Sequence, residues 1–419
     1  MAPTLVGTHR DVTCADCGFC FPSDAAITPT SGRPSLCPNC DDQSVELSSI
    51  PVADGDRLLV HKSAFALRPP RRWEMATFRS PTHAAQLSIK RIVGLPGEKV
   101  RIRDGDVYVN GQIARKTLAE QLAMAILVHD ATCQSRELLP RWRGEGAATS
   151  WTAHAGKFTI PQRTDERQGT ADAPDWLTYH HAYRAPPHSK GTVERAVDDR
   201  YAYNQDLSLR NLYPIRDLLL TCRMRTQGTS GLLLRATDGQ TEFLVRVDGG
   251  WRDVELFENG IPVARRGVNL AANRAHSVAL SLVDRRFGLA IDGREILARP
   301  IENNPVGEPS PRPLAIGSQG LGVEVTNLRV WRDVYYVPPP GAVVTADIDE
   351  PFQLAEDEYF VLGDNSPLSE DSRHLKTGPA VLANLLVGKP FLMHYPNRVV
   401  ELWGRRFQVP AITRIRYIP

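Results

Sequence analysis

Short runs of alternating apolar and polar residues dominate the first third of this chain. From residue 87 to residue 93 the sequence LSIKRIV alternates with the period of a strand that buries one face. Similar runs recur between residues 57 and 115, and Asp104-Gly105 and Asn110-Gly111 lie between them as hairpin signals. We therefore predict a meander of short strands from residue 56 to residue 117.

A second series of strand-like runs occupies residues 207–337. Turn dipeptides separate these runs at Asp238-Gly239, Asp248-Gly249, Asn259-Gly260 and Asp292-Gly293. Regular short strands with such turns indicate an antiparallel sandwich. By pattern alone, this part resembles a concanavalin or laminin-G type jelly roll, and the resemblance implies a protein or carbohydrate ligand, or a spacer role.

The stretch between the two series has no clean period. Leu118 to Val128 is rich in helix formers and predicts a short helix, and residues 129–206 are expected to be irregular. His180, His181 and His188 lie in this polar stretch, where we expect surface histidines rather than metal ligands. Residues 338–341, PPPG, predict a stiff linker, and the last residues predict an edge hairpin.

Composition narrows the function classes. The chain has 419 residues, enough for two or three domains, and a formal net charge of +2, which gives no sign of nucleic-acid binding. Its longest apolar runs are far shorter than the ~18 residues that a membrane-spanning helix needs. We therefore expect neither a signal peptide nor a membrane span.

Five of the seven cysteines fall in the first 40 residues. Cys14 and Cys17 form one C-x-x-C pair, and Cys37 and Cys40 form another. Thiolates on two tight turns are suited to tetrahedral zinc, so we predict a structural zinc ribbon with Cys20 as a spare, and favour it over disulfides or free thiols. Because zinc needs reduced thiols, this module favours a reducing compartment.

Two distant stretches carry candidate catalytic chemistry. Lys90 lies in a predicted half-buried strand, where desolvation would lower its pKa and make it a candidate general base. A dense polar loop follows a short apolar strand at residues 359–362, and its side chains are able to form one hydrogen-bonded network. Its members are Gly363, Asp364, Asn365, Ser369, Asp371, Ser372 and Arg373.

Together, these stretches resemble the type I signal peptidases, which are serine endopeptidases with a Ser/Lys dyad. Residues 90–98, KRIVGLPGE, match the family pattern K-R-x-x-G-x-P-G-[DE], and residues 363–373, GDNSPLSEDSR, match G-D-N-x-x-x-S-x-D-S-R. The resemblance implies that Lys90 is the general base, that Ser369 orients it, and that Asp371 and Arg373 brace the loop. It also implies a preprotein or peptide substrate and a membrane anchor, which this sequence does not display.

The sequence departs from the family at the nucleophile. The family serine lies in S-M-x-P-T-L, eight residues before a Gly-Asp, whereas Leu47 is at that distance from Gly55 here. Ser48 keeps the family spacing to Pro51, and Ser49 is the other candidate. A third interpretation makes both serines linker residues and the site inactive.

These inferences predict a mainly β protein. Its parts are a zinc-ribbon-like module at 1–46, a signal-peptidase-like β-domain at 47–117 and 338–419, an irregular region at 118–206 and an inserted sandwich at 207–337. The predicted function is signal-peptide cleavage by Lys90 with Ser48 or Ser49. The alternative is an inactive protein of that fold that binds peptide, protein or carbohydrate.

Overall fold

The protein is mainly β, as the sequence predicts. The computed structural model describes residues 1–27, 35–43, 47–81, 85–146, 148–162, 173–185, 191–203, 212–228, 231–271, 274–301, 307–337, 351–374, 380–395, 397–410 and 415–418. His188 and the PPPG segment at 338–341 lie outside these residues. None of the described helices is long and apolar enough to cross a bilayer.

The Cys-rich module contains one hairpin. Strand β1 (His9–Thr13) pairs antiparallel with β2 (Cys20–Asp24). The four cysteines of the two C-x-x-C pairs are buried in a small core with Val12, Phe21 and Ile27. Residues 6–9 then run beside residues 53–56, where His9 and Ala53 exchange backbone hydrogen bonds. This module is therefore tied to the start of the peptidase-like domain.

The peptidase-like domain is built from two sheets. Its first part contains β3 (Arg57–His61), α1 (Ala64–Leu67), β4 (Met75–Arg79), β5 (Leu87–Gly94), β6 (Lys99–Arg103), β7 (Asp106–Val109) and β8 (Gln112–Ile113). The hairpin residues Asp104-Gly105 and Asn110-Gly111 all have positive φ, as such turns require. The predicted meander is confirmed.

Helix α2 (Leu118–Met124) begins at a capping box. Thr117 Oγ1 accepts a hydrogen bond from the Glu120 backbone N–H, while the Glu120 carboxylate accepts one from the Thr117 backbone N–H. The helix is shorter than predicted, because the residues from Ile126 onward leave it to join a sheet. Burial of Ile126 and Val128 there outweighs their weak preference for a helix.

The inserted sandwich begins earlier than the sequence analysis predicts. The strands from residue 126 to residue 332 are β9 (Ile126–Asp130), β10 (Trp142–Gly144), β11 (Thr152–His154), β12 (Lys157–Ile160), β13 (Asp175–Tyr179), β14 (Ala182–Arg184), β15 (Thr192–Glu194), β16 (Leu218–Gln227), β17 (Gly231–Thr237), β18 (Glu242–Asp248), β19 (Asp253–Glu258), β20 (Ile261–Gly267), β21 (His276–Val283), β22 (Arg286–Ile291), β23 (Arg294–Pro300), β24 (Leu314–Gln319) and β25 (Gly322–Arg332). All except β14 and β15, which form a separate hairpin, belong to the two sheets of the sandwich. One sheet has the order β10-β13-β24-β17-β18-β19-β20, and the other has β11-β12-β25-β16-β21-β22-β23 with β9 on β25. Much of the region predicted as irregular, 118–206, thus belongs to the sandwich, because only tertiary pairing stabilises its very short strands.

The histidines of this region correct another expectation. His180 and His181 are buried rather than on the surface. His181 Nδ1 lies 2.8 Å from the Tyr179 hydroxyl, and His180 Nδ1 lies 3.0 Å from a Glu194 carboxylate oxygen. Each imidazole thus has one polar partner inside the fold, whereas Nε2 of His181 is buried without a partner among the described residues.

After the sandwich the chain returns to the peptidase-like sheets. The returning strands are β26 (Phe352–Gln353), β27 (Glu358–Leu362), β28 (Val381–Leu382), β29 (Leu386–Tyr395), β30 (Asn397–Leu402), β31 (Arg405–Pro410) and β32 (Arg416–Tyr417), with 3₁₀ turns at Ser366–Leu368 and Ala383–Leu385. One sheet has the order β28-β27-β5-β4-β29-β3, with β32 also on β29, and the other has β26-β6-β7-β8. Strands β30 and β31 form the predicted terminal hairpin.

Candidate active site

The pairing of β27 with β5 brings the two distant motifs together. In this antiparallel pair Leu362 is opposite Arg91, and Val361 is opposite Ile92. Gly363 and the polar loop therefore begin beside Lys90. Lys90 and Arg91 are successive residues of β5, so their side chains leave the sheet on opposite faces.

The Lys90 amine has a hydroxyl partner in the loop. Lys90 Nζ donates a 2.8 Å hydrogen bond to Oγ of Ser369. Burial lowers the pKa of Lys90, while the nearby carboxylate of Asp371 opposes this shift. A lowered pKa increases the neutral fraction of the amine near neutral pH, which is the form that accepts a proton. The role of Lys90 as a general base stays a prediction.

Gly363 has no side chain, so the space beside it is free for the contact between Ser369 and Lys90. A Cβ at Gly363 would lie 2.0 Å from Ser369 Oγ and 3.4 Å from Lys90 Nζ. No side chain fits this position without moving the serine. The close approach of Ser369 and Lys90 to the Gly363 backbone thus explains why the late motif has a glycine here.

Arg91 and Asp364 form a buried ion pair behind this contact. Arg91 Nε and Nη2 donate to the two carboxylate oxygens at 2.9 and 2.7 Å, and Nη1 donates to the Trp73 carbonyl at 2.7 Å. Burial favours the neutral acid, but the Arg91 guanidinium outweighs it and holds the pKa of Asp364 below its usual range. The pair joins β5 to the beginning of the loop.

Asp371 and Arg373 brace the loop itself. The Arg373 guanidinium donates to both Asp371 oxygens at 2.8 Å and to the Ser366 carbonyl at 3.0 Å. Asp371 also accepts the Gly363 backbone N–H at 2.9 Å, and Ser372 Oγ accepts the Val361 N–H at 2.8 Å. Burial favours a raised pKa for Asp371, yet Arg373 outweighs it and lowers that pKa. These bonds fix the turn that presents Ser369.

Sequence reasoning missed several groups that contact the late motif. Tyr201 donates its hydroxyl proton to the Asp364 carbonyl at 2.7 Å, and Val337 contributes a carbonyl that accepts from Arg373. Because these residues lie far from the motif in sequence and belong to no local pattern, sequence analysis had no signal for them.

An N-terminal segment also lies against the site. Thr4 Oγ1 donates a 2.6 Å hydrogen bond to Asp364 Oδ2, and Leu5 packs with Met75 and Met393. Burial lowers the pKa of the Met1 α-amino group to about 6, and the neighbouring Asp364 carboxylate opposes the shift. The segment is a turn closed by a hydrogen bond from the Leu5 N–H to the Met1 carbonyl, and this turn packs against Asp364.

Ser48 and Ser49 occupy an exposed turn before β3. Their neighbours Leu47 and Ile50 pack against the core of the Cys-rich module. The two serines therefore belong to a different module from the sheet that carries Lys90, whereas the hydroxyl bonded to Lys90 is that of Ser369.

The predicted metal ligands come together as one cluster. The sulfur atoms of Cys14, Cys17, Cys37 and Cys40 all lie within 4.8 Å of one another, at 3.5 Å for Cys14–Cys40 and 3.7 Å for Cys17–Cys37. Four thiolates at ~2.3 Å from one zinc would be about 3.8 Å apart, whereas a disulfide needs about 2 Å. Exposed Cys20 lies outside the cluster. The four cysteines are thus arranged to hold a metal ion.

Comparison with known proteins agrees with the geometry. The family model described as "Signal peptidase, peptidase S26" matches residues 45–161. In this segment the chain is similar to the type I signal peptidases. A probable signal peptidase I-2 of Synechocystis sp. is 45% identical over 64 residues, which are 14% of this chain and 29% of that relative. Signal peptidase I of Pseudomonas aeruginosa is 31% identical over 143 residues, 29% of this chain and 49% of the relative. The chain thus spans less than half of the length of either signal peptidase.

Solved structures resemble this chain only distantly. A carbohydrate-binding module from Bacillus subtilis covers 45% of this chain and 94% of its own, with 14% identity and a TM-score of 0.21. A β-glucanase from Bacillus licheniformis covers 48% and 94%, with 11% identity and a TM-score of 0.27. Likeness at this level carries no argument about a ligand.

Proposed function

We propose that this chain is a signal-peptidase-like endopeptidase in which Lys90 is the general base. The observation that carries the proposal is the half-buried Lys90 amine, with its lowered pKa and its 2.8 Å hydrogen bond to Ser369. Lys90 also lies within the segment that matches the signal peptidase family. The substrate class is a preprotein or an extended peptide.

In the proposed reaction a serine hydroxyl attacks the scissile carbonyl. Neutral Lys90 accepts the hydroxyl proton and later returns it to the leaving amine, as the base of a Ser/Lys pair does. Ser48 or Ser49 supplies the nucleophile, and Ser369 holds the amine in position. A backbone N–H near the nucleophile stabilises the oxyanion.

The test is cleavage of a panel of signal-peptide-bearing preproteins, with the products mapped by mass spectrometry. We expect site-specific cleavage by the native chain and its loss in Lys90→Ala and in the Ser48→Ala/Ser49→Ala double variant. Lys157→Ala is the matched control, because that lysine pairs with Glu324 on the surface of the sandwich. Cleavage that survives in Lys90→Ala would refute the proposal. Loss in Lys90→Ala and Ser369→Ala, with full activity in the double serine variant, would exclude both serines as the nucleophile.

A second candidate function is peptide binding without hydrolysis. It is favoured by the segment around Thr4, which already lies against Asp364, and by the separation of Ser48 and Ser49 into another module. A fluorescently labelled preprotein segment would then show raised anisotropy on binding. The raised value would stay constant for hours, because the segment is not cleaved. Observed product formation that requires Lys90 would exclude this candidate.

For the four-cysteine cluster we propose structural zinc. Asn39 Nδ2 lies 3.7 Å from Cys17 Sγ, and its Oδ1 accepts the Asp130 backbone N–H at 2.6 Å. The cluster is thereby linked to β9 of the sandwich, so bound zinc would stabilise the contact between the two modules. The ligand of the sandwich, protein or carbohydrate, stays a prediction.

A further inference from the structure

Four aspartates meet where the sandwich joins the peptidase-like domain. Asp106 begins β7 of the peptidase-like domain, and Asp217, Asp284 and Asp333 lie at one end of the sandwich, next to β16, β21 and β25. They are far apart in sequence and match no motif. Their meeting therefore results from the packing of the two domains.

The geometry of three of them fits a single ion. One carboxylate oxygen from each of Asp106, Asp217 and Asp284 lies within 4.8 Å of the others. Oxygen ligands on opposite sides of a Ca²⁺ ion, each at ~2.4 Å, are about 4.8 Å apart, so all three fit in one coordination sphere. Acidic side chains often cluster without an ion, so this proximity alone is not a site.

Asp333 supplies an independent observation. In the part of the chain that the structure describes, its Oδ1 is buried and has no hydrogen-bond partner. Asp333 lines a cavity of about 60 Å³ together with Asp106 and Asp217. A buried carboxylate oxygen without a partner costs free energy, and this one lies at a polar space large enough for an ion or water.

The local charges do not balance. Lys116 Nζ lies 2.5 Å from Asp284 and 2.9 Å from Asp333, and it is the cation that these two carboxylates share. Arg216 and Arg285 also line the cavity, but so do Asp104 and Asp238, so the carboxylates around it outnumber the cations. Carboxylates that share so few cations repel each other.

We propose that Asp106, Asp217 and Asp284 form a site for a divalent cation of the calcium type, with Asp333 on the wall of the adjoining cavity. All of these ligands are carboxylate oxygens, which hard cations such as Ca²⁺ prefer over softer nitrogen and sulfur donors. The ion would join the sandwich to the peptidase-like domain. The site is separate from the Lys90 network and does not depend on peptidase activity.

The experiment uses the full chain, treated with chelator and returned to metal-free buffer at pH 8. Binding is measured with Tb³⁺, whose luminescence is excited through nearby aromatic rings such as Tyr108 and Tyr335, which line the cavity. Thermal unfolding is followed with added Ca²⁺ or Mg²⁺. We expect saturable Tb³⁺ luminescence that Ca²⁺ displaces, and a melting temperature that rises with the logarithm of free Ca²⁺.

Two isosteric variants make the test specific. Asp217→Asn and Asp106→Asn should each weaken Tb³⁺ binding at least about tenfold, yet raise the melting temperature of the metal-free protein by relieving repulsion. The combination separates a lost ligand from a damaged fold. Asp104→Asn is the matched control, because Asp104 is exposed beside the cluster and asparagine tolerates its φ of 51°.

Several results would overturn the proposal. Absence of saturable Tb³⁺ luminescence together with a melting temperature that no divalent ion changes would show that the carboxylates are simply protonated. Equal Tb³⁺ affinity of Asp217→Asn and the native chain would show that Tb³⁺ binds at another site. A response to Mg²⁺ that equals the response to Ca²⁺ would refute the calcium-type assignment.

Discussion

The substitution Gly363→Ala tests the site through one methyl group. The new Cβ would lie 2.0 Å from Oγ and 2.7 Å from Cβ of Ser369, and 3.4 Å from Lys90 Nζ. Rotation of the serine side chain moves its Oγ but not its Cβ. The loop backbone at Ser369 must therefore shift. This shift moves the hydroxyl that accepts the hydrogen bond from the Lys90 amine.

The size of the effect follows from these distances. Ordinary van der Waals contact begins near 3.4 Å, so the serine oxygen must move by about 1.4 Å, the difference between 3.4 and 2.0 Å. A displacement of ~1 Å at a positioned catalytic group costs about 100-fold in rate. This corresponds to about 2.7 kcal/mol of transition-state stabilisation.

The assay is kcat/KM for cleavage of a preprotein substrate, measured beside the melting temperature. Gly267→Ala is the matched control, because its Cβ would meet no atom within 4 Å and its φ is not positive. Ser369→Ala should lower kcat/KM by itself. Added to Gly363→Ala it should lower kcat/KM little further, because the two substitutions remove the same positioning.

The reasoning fails if Gly363→Ala keeps kcat/KM within about threefold of the native value. It also fails if the two substitutions act additively, because Ser369 would then act on the reaction independently of its position against Gly363. A fall in kcat/KM that only follows unfolding of the variant would be visible as a lower melting temperature, and repeating the assay well below that temperature would restore activity.

Three further predictions concern the charges and thiols of the chain. Since neutral Lys90 is the active form, kcat/KM should rise as pH rises through its lowered pKa. Glu370→Gln should move this rise to lower pH, because it removes a carboxylate that raises the lysine pKa. A pH profile that does not move in this variant would contradict the prediction. Asp364→Asn leaves the buried Arg91 guanidinium without its charge partner and should lower the free energy of unfolding, measured in urea, by about 3–5 kcal/mol. A loss below ~1 kcal/mol would show that the pair is solvated. Cys37→Ser should abolish zinc retention in metal analysis and lower the melting temperature, whereas Cys20→Ser should keep both; equal retention by the two variants would refute the ligand assignment.

The sequence by itself determined the local structure around the candidate site. Alternation predicted β5, because a strand places successive residues on opposite faces. Asp-Gly and Asn-Gly dipeptides predicted hairpins because their residues tolerate positive φ, as at Asn259-Gly260 and Asp292-Gly293. Cysteine spacing predicted the thiol cluster in the same way, since a knuckle turn is a property of a few consecutive residues.

Only the tertiary structure decided which distant segments meet. The pairing of Leu362 with Arg91 sets Ser369 against Lys90, and no local pattern specifies that register. The same holds for the contact of Thr4 with Asp364, for the strands of residues 126–179 that join the sandwich, and for the four aspartates between the domains. Such contacts depend on burial of complementary surfaces, summed over many weak interactions between residues far apart in the chain, whereas strand period and turn chemistry are written in neighbouring residues.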